Sequence, residues 1–328
     1  MSMVPPGNIL IPRIGEKIAA VLRRHKLRPE VSPKKFLARV KTSKHRYFTP
    51  ARTPEGTTVA FYARLHANPD AQRKFLTEVS VLRRLNRMPQ PFARSAPRLL
   101  SAGRESSFEW FTREHINGNP LGHSRHLSGR LAASTVAQLA SSIVSIGQLP
   151  PKELRVKLQR FNPDNYRIDR QCYGLAQAAA VPATTCRGVG RLVSNNRQLL
   201  HRCNRVVAHG DLNLGNILVD GGIVRIVDWE LAQLNNLAYD LGYLWVHLWE
   251  APKRFRQLLL QSFVRQLPSP QRALFRQLLP VVVAYLAIGG IPYRRSAHER
   301  HAEQERRRRY HVRLLQQCLH GFSALRNA

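Results

Sequence analysis

The chain has 328 residues, 43% of them hydrophobic, which is enough for two domains or lobes with a sizeable buried core. Its 52 Lys and Arg outnumber its 20 Asp and Glu and give a net charge of +32, so a polycationic partner is disfavoured. This composition excludes a disordered or fibrous chain, and the four cysteines lack the spacing of a zinc site or a disulfide framework.

An amphipathic helix is the first element that the sequence predicts. Apolar residues recur at helical spacing from Ile14 to Leu22, opposite a basic face, so we expect a helix over residues 14 to 27 that packs on its own domain. The residues before it lack the continuous apolar segment of a secretory signal. Because the cysteines are also expected to be free thiols, the sequence predicts a cytoplasmic protein.

A region rich in strand-forming residues follows this helix. Thr, Val, Phe and Tyr dominate three short segments, which predicts strands over residues 36–40, 47–51 and 57–65. Turn-forming residues at 54–56 separate the last two, so we expect a small antiparallel meander. The turn between the first two strands, at residues 41–45, contains no glycine.

Helical periodicity returns over residues 70–87, where the acidic Glu78 lies in the middle of the predicted helix. Two further strands are predicted at residues 98–101 and 108–112. The polar residues 113–120 that follow contain Gly and Pro and are typical of a hinge between lobes.

The remainder of the chain, after about residue 125, is predicted to be mainly helical, with one hairpin inside residues 217–228. Its longest apolar run, residues 278–293, is interrupted by Pro280 and is predicted to be a buried helix too short to cross a membrane. We therefore expect three regions. They are a helical extension at residues 1–30, a sheet-containing lobe at 31–115 and a helical lobe at 116–328.

Acidic residues are scarce, yet four of the seven Asp lie between residues 211 and 240. There an apolar segment leads into His209 and Asp211, and Asn216 follows five residues after Asp211. A short strand, an Asp-Gly-Gly turn at residues 220–222 and a returning strand then end at Asp228. Because the two strands pair through this turn, we expect Asp228 to lie beside Asn216.

The chemistry of these residues suits phosphoryl transfer. Asn216 and Asp228 offer the hard oxygen ligands that Mg²⁺ prefers, and Asp211 is then available to accept a proton from an attacking hydroxyl. A positioned base beside a metal that neutralises phosphate charge is what this reaction needs.

The spacing from His209 through Asp211 to Asn216 matches the catalytic loop of protein kinases, but Gly210 replaces the usual Arg and Trp-Glu follows Asp228. The string HGDLNLGNIL, together with IVDWE, resembles the aminoglycoside phosphotransferase and choline kinase superfamily, the small-molecule relatives of the protein kinases. The resemblance implies an α+β, protein-kinase-like fold of two lobes, with a small N-terminal antiparallel sheet and a larger helical C-terminal lobe. It also implies ATP and Mg²⁺ as cofactors.

The same resemblance implies a role for each residue of the motif. Asp211 would be the catalytic base, and Asn216 and Asp228 would bind Mg²⁺. His209 would hold the catalytic loop in place, and Asp240 would brace that loop.

The elements that would bind the nucleotide depart from the pattern. In the family layout Glu78 pairs with a strand Lys that holds the ATP phosphates, but the strand at residues 57–65 contains no Lys. Arg64 is the nearest basic candidate, and either face of its strand could point inward. Lys41 or Lys44 could compensate for the missing glycines in the loop before it.

The sequence thus predicts an ATP-dependent kinase that phosphorylates a hydroxyl of a small, neutral or anionic molecule, whose pocket is lined by the helical regions at 125–205 and 250–328. A nucleotide-binding or regulatory pseudokinase is the alternative, because the strand Lys and the glycine loop are missing. A nucleic-acid-binding protein is a third hypothesis, suggested by the net charge and the arginine run at 306–309 but opposed by the scatter of the basic residues. No oligomeric state is predicted.

Overall fold

The computed structural model describes residues 10–33, 46–65, 69–89, 92–123, 126–127, 131–154, 156–166, 168–178, 180–291 and 301–325. By its contacts the chain divides into two units, residues 1–117 and residues 118–328. The strand predicted at 36–40 and the glycine-free loop with Lys41 and Lys44 lie outside the described residues. Sheet in the first unit and many helices in the second confirm the predicted α+β class.

The first unit is built on a five-stranded antiparallel sheet in the order β1-β2-β3-β5-β4. Its helices and strands agree with most of the predicted elements, although β4 and β5 extend beyond the predicted ends. The elements are α1 (Leu10–Arg24), β1 (Arg28–Pro29), β2 (Arg46–Arg52), β3 (Thr58–Leu65), α2 (Pro69–Leu85), β4 (Leu99–Arg104) and β5 (Phe108–Glu114).

The two faces of this sheet carry different side chains because residues alternate along each strand. On one face, Phe61 and Trp110 form a buried core with the apolar stripe of α1, which confirms that this helix packs on its own unit. On the other face, Tyr62 stacks on Phe111 at a ring distance of 4.8 Å. Phe111 in turn contacts Phe75 of α2 at 5.4 Å, so this face lies toward α2.

The second unit is mainly helical, with short strands between the helices. Its helices are α3 (Ala133–Ile146), α4 (Ile168–Gln177), α5 (Ala183–Asn195), α6 (Arg197–Cys203), α7 (Tyr239–His247), α8 (Lys253–Gln266), α9 (Ser269–Gly290) and α10 (His301–Leu319). Its strands are β6 (Asn119–Pro120), β7 (Gly122–His123), β8 (His126–Leu127), β9 (Val206–Ala208), β10 (Ile217–Asp220), β11 (Ile223–Ile226) and β12 (Gln233–Asn235).

The predicted hairpin is formed by β10 and β11, in which Ile217 pairs with Ile226. Its two-residue turn needs positive φ at both central positions, and Gly221 and Gly222 supply φ values of 53° and 82°. Two further pairings were not predicted: β6 adds to the free edge of β10, and β12 pairs with β9. The β9–β12 pairing fixes the strand before His209, and the β6–β10 pairing fixes the strand that follows Asn216.

Helix α9 runs for 22 residues without a break at Pro280, so the predicted interruption and the short length are wrong. The helix continues because both neighbours of Pro280 are buried in apolar contacts, and this burial offsets the one backbone hydrogen bond that proline removes. By length and apolar character α9 could cross a membrane, but 61% of its most apolar window is buried inside the fold, as in a core helix. The prediction of a buried helix is confirmed.

Candidate active site

Strand β9 leads into the motif that contains His209 and Asp211, and its pairing with β12 holds the backbone in place before His209. Gly210 follows with a φ of +88°, and a Cβ atom there would lie 2.1 Å from the carbonyl oxygen of Leu231. No residue with a side chain fits at this position without moving the backbone of Leu231. The close approach therefore explains why glycine, and not arginine, stands between His209 and Asp211.

His209 and Asp240 hold this turn from the inside. Asp240, in the first turn of α7, accepts hydrogen bonds from the backbone amides of His209 (2.7 Å) and Gly210 (3.2 Å). The fully buried His209 ring donates from Nε2 to the carbonyl of Val227 (3.0 Å) and accepts the Asp211 amide at Nδ1 (3.3 Å). This bonding pattern requires the neutral ring.

Burial dominates the electrostatics of this pair. It lowers the pKa of His209, although the neighbouring Asp240 and the Val227 carbonyl act in the opposite direction. Burial also raises the pKa of Asp240, and the charge of His209 and the two backbone amides oppose that rise. The side chains of His209 and Asp240 are both hydrogen-bonded to the backbone of the loop. Asp211 is the carboxylate that the loop itself carries.

The Asp211 carboxylate is held by three neutral donors. The Tyr243 hydroxyl donates to Oδ1 at 2.7 Å, and the Asn213 side chain donates to the same atom at 3.1 Å. Asn216 donates from Nδ2 to Oδ2 at 3.3 Å and to the Asp211 carbonyl at 2.9 Å. Three donors on one carboxylate fix its orientation, as a general base requires.

The predicted metal ligands lie at the open end of the hairpin. The Val227 amide donates to the Asn216 carbonyl at 2.9 Å, so Asp228, the next residue, emerges beside Asn216 as the sequence predicts. Asp228 has left-handed backbone angles, φ 67° and ψ 61°, which are uncommon for a residue with a side chain and recur at functional sites. Since the Asn216 Nδ2 atom is turned to Asp211, Oδ1 is the atom of this side chain that could bind a metal ion. An amide oxygen and a carboxylate are a donor set that fits Mg²⁺.

The candidate nucleotide-binding residues of the first unit are separated along its elements. Arg64 lies on the α2 side of the sheet, opposite Glu109 of β5, and donates to the carbonyl of Ala71 in α2 at 3.2 Å. Glu78 is buried two turns further along that helix. Lys44 lies outside the described residues. Arg64 and Tyr62 share the face of the strand that lies toward α2.

Arg113 was missed at the sequence level because the strand was predicted to end at residue 112 and the hinge to begin there. It instead lies within β5, opposite Ala60, on the same sheet face as Tyr62 and Arg64. Its side chain is only 6% exposed, and its guanidinium stacks over the Tyr62 ring at 5.3 Å and donates to the Tyr62 hydroxyl at 3.3 Å. A second cation therefore stands on the face of Arg64.

The donors to Asp211 were missed as well. Asn213 is part of the motif string, two residues after Asp211, and its short side chain favours such a local hydrogen bond. Tyr243 lies one helical turn after Asp240, so a helix beginning near residue 239 brings it to the same side. The sequence held both signals, but the spatial order of α7 and the loop was needed to interpret them.

Comparison with known proteins gives one family match over most of the chain. Residues 51–274 match the model of the "Phosphotransferase enzyme family". No curated protein matches the chain.

Solved structures with a similar fold include three small-molecule kinases. One is an amicoumacin kinase in complex with AMP-PNP and Ca²⁺, at 12% identity, with 93% of each chain covered and a TM-score of 0.55. Another is a microcompartment-associated aminopropanol kinase, at 15% identity, with 95% of this chain and 100% of that chain covered and a TM-score of 0.56. A choline/ethanolamine kinase family protein from Mesorhizobium loti has 14% identity, 96% and 99% coverage and a TM-score of 0.56.

Proposed function

The chain belongs to the phosphotransferase enzyme family, within the aminoglycoside phosphotransferase and choline kinase superfamily that its motif resembles, and on that premise we propose that it is an ATP-dependent kinase. In this proposal the γ-phosphoryl group of ATP passes to a hydroxyl group of a small molecule. The family makes the chain a small-molecule phosphotransferase of protein-kinase-like fold. The nucleotide, the acceptor group and the residue roles are the proposal.

The orientation of Asp211 is the observation that supports it most. In the reaction, Asp211 takes the proton of the acceptor hydroxyl as the new oxygen–phosphorus bond forms and the bond to the leaving ADP breaks. Tyr243 and Asn213 donate to Oδ1 and hold the carboxylate, and Oδ2, which accepts the longer bond from Asn216, would receive this proton. His209 and Asp240 act only through the backbone of the loop.

Asn216 and Asp228 would hold the divalent ion, which we propose is Mg²⁺. When bound, this ion neutralises the negative charge of the phosphates during transfer. The amicoumacin kinase of similar fold binds AMP-PNP and Ca²⁺, which supports a nucleotide and a divalent ion in proteins of this fold.

For the nucleotide phosphates we propose Arg64 and Arg113, the two cations on the α2 face of the sheet, with Glu78 of α2 as their acidic counterpart. Arginine binds phosphate through two donors at once, so it can substitute for the missing strand Lys. Lys44 remains a predicted contributor. The lobe boundaries at residues 31–115 and 116–328, after a helical extension at 1–30, belong to this proposal as well.

The acceptor is proposed to be neutral or anionic. With a net charge of +32 and only 20 carboxylates, this chain is poorly suited to bind a polycation. A cytoplasmic location, where ATP is available and where its four free cysteines stay reduced, fits this proposal.

ADP release and nucleotide binding, measured together over a panel of hydroxyl compounds, test the proposal. We expect Mg²⁺-dependent turnover in the wild type. In Asp211→Asn we expect turnover to fall by about a thousandfold while the affinity for Mg·ATP is kept. Asp164→Asn, at a surface carboxylate paired with Arg197, is the matched control and should behave as wild type.

Nucleotide binding without turnover on any acceptor would favour the regulatory pseudokinase. If neither binding nor turnover occurs, the kinase proposal is wrong.

A further inference from the structure

A cavity of about 540 Å³ lies in the second unit next to Asp211. Tyr243 and Asn213 line it, and both donate to Oδ1 of Asp211. A molecule in this cavity therefore reaches the same two side chains that orient the carboxylate. The volume is in the range of sites for small metabolites.

The walls of the cavity are polar and come from several helices. Helix α7 contributes Tyr243 and His247, whose rings lie 4.5 Å apart and are tilted against each other, and α10 contributes Arg307 and His311, one turn apart on the same side of the helix. Helix α9 supplies Gly289 and Gly290, and a Cβ atom at Gly290 would lie 2.8 Å from the His311 ring, so this glycine lets the ring approach α9 closely.

Arg307 is the cationic side chain among the described residues that line the cavity. Burial lowers the pKa of His311 to about 4, an effect to which Arg307 and His247 add, so His311 is neutral at pH 7. Among its described lining residues none is a carboxylate.

A buried hydrogen-bond acceptor also lines the cavity. The Oε1 atom of Gln171 in α4 is buried and receives no hydrogen bond from the part of the chain that the structure describes. A buried acceptor without a donor is costly, so a ligand that brings hydroxyl groups is the natural partner for it. The cavity thus combines one cation with an acceptor for hydroxyl groups.

We propose that this cavity is the acceptor site and that the acceptor is a polyhydroxylated anion, such as a sugar acid or a sugar phosphate. Arg307 binds its carboxylate or phosphate, Gln171 accepts from one of its hydroxyls, and another hydroxyl lies at Asp211. This inference rests on the proposed kinase function and names its substrate class.

The test uses matched compounds that differ in charge: glycerol with glycerate, ribose with ribose 5-phosphate, and glucose with gluconate, glucose 6-phosphate and glucosamine. Turnover is measured for each, and binding of gluconate and of inorganic phosphate is measured without nucleotide through the fluorescence of Trp249, which lines the cavity. Subtracting the response of Trp249→Phe isolates this signal. Carboxylate and phosphate members distinguish the two anions.

We expect the anionic members to have the highest kcat/KM. Arg307→Ala should raise the KM and the binding constant of the preferred anion about tenfold or more, with kcat nearly unchanged, and Arg307→Lys should restore part of the affinity. Arg309→Ala is the matched control, since its side chain is 64% exposed on the same helix, and it should leave KM unchanged.

Two results would overturn the inference. One is a higher kcat/KM for glucose, glycerol or glucosamine than for the anions, which leaves the kinase function intact. The other is the absence of phosphate and gluconate binding at Trp249, or binding that Arg307→Ala does not weaken. Failure of the kinase proposal itself has a different signature, because Mg·ATP then gives no ADP with any compound while anion binding at Trp249 persists.

Discussion

The motif segment at residues 206–240 and the sheet of the first unit follow the superfamily pattern to very different degrees. In the segment at residues 206–240 several motif residues bond one another: Asp240 accepts from the backbone of His209, and Asn216 donates to Asp211. In the sheet the expected Lys is absent, and the cations are Arg64 and Arg113 on two neighbouring strands.

The difference shows which features depend on a fixed spacing of residues along the chain. A base and a metal site require several atoms at hydrogen-bond distance, so the spacing of the residues in the chain is constrained. A phosphate cation needs only a long side chain on the correct face of the sheet, and neighbouring strands can supply it equally well. We therefore expect large losses of activity or stability from substitutions at residues 206–240 and smaller losses of ATP binding from substitutions in the sheet.

The largest expected effect is the loss of a proposed metal ligand. Asp228→Asn should lower phosphoryl transfer by about a thousandfold and raise the Mg²⁺ concentration needed for half-maximal rate, because a metal contributes several kcal/mol to this reaction. Asp220→Asn, at the turn end of the same hairpin, should leave both quantities unchanged. Equal rates for Asp228→Asn and wild type would contradict the proposed metal site at Asn216 and Asp228.

Next in size is a change of backbone at the catalytic turn. Gly210→Ala should lower the free energy of unfolding by about 3 kcal/mol, measured in urea, because its Cβ would clash with the Leu231 carbonyl at 2.1 Å and its φ is +88°. Gly147→Ala, at a helix end with φ −63° and no contact closer than 3.4 Å, should change it by less than about 0.5 kcal/mol. Similar stabilities of the two variants would contradict the account of the turn.

Acid should affect the second unit through its buried histidines. The pKa of His311 is depressed from about 6.5 to about 4, so its contribution is fully present above pH 6.5 and is lost as the pH falls toward 4. We expect the unfolding free energy of the second unit to drop by about 3 kcal/mol over this range from His311 alone. Hydrogen exchange at pH 7 and pH 4.5 measures it.

His311→Gln should flatten this pH dependence, whereas His320→Gln, at an exposed histidine just after α10, should leave it as in wild type. An unchanged slope in His311→Gln would show that the charge state of this ring does not control acid stability.

The smallest effects are expected in the sheet of the first unit. Arg113→Ala should raise the KM for ATP about tenfold, since a charge-assisted contact to phosphate is lost, and Arg113→Lys should recover part of it. Arg64→Ala should also raise this KM, because Arg64 is the other cation proposed on this face of the sheet. The control is Arg104→Ala on the edge strand, 66% exposed; if it weakens ATP binding as much, net charge and not position is responsible.

Local features of the fold could be predicted from the sequence. The hairpin of β10 and β11 follows from its Asp-Gly-Gly turn, and α1 follows from its apolar spacing, because both depend on residues close together in the chain. The added strands β6 and β12 could not be predicted, since each pairs with residues distant in sequence. The continuation of α9 through Pro280 could not be predicted either, because proline disfavours a helix interior and the burial of its neighbours, which depends on the tertiary fold, offsets this.

The candidate site divides in the same way. Asp211, Asn216 and Asp228 could be found from spacing, because one loop and one hairpin bring them together. Arg113 could not, because its side of the sheet depends on the register between β3 and β5. The residues around the cavity come from four helices, so only the packed second unit brings them to one place.

Following the γ-phosphate of ATP by ³¹P NMR tests the central claim most directly. With Mg²⁺ and the panel of hydroxyl compounds, the wild type should convert the γ-phosphate signal into that of a phosphomonoester of an acceptor. Asp211→Asn should still bind Mg·ATP and form this ester about a thousandfold more slowly. An ester formed equally fast by Asp211→Asn, or a wild type that binds Mg·ATP and forms no ester with any acceptor, would contradict the account.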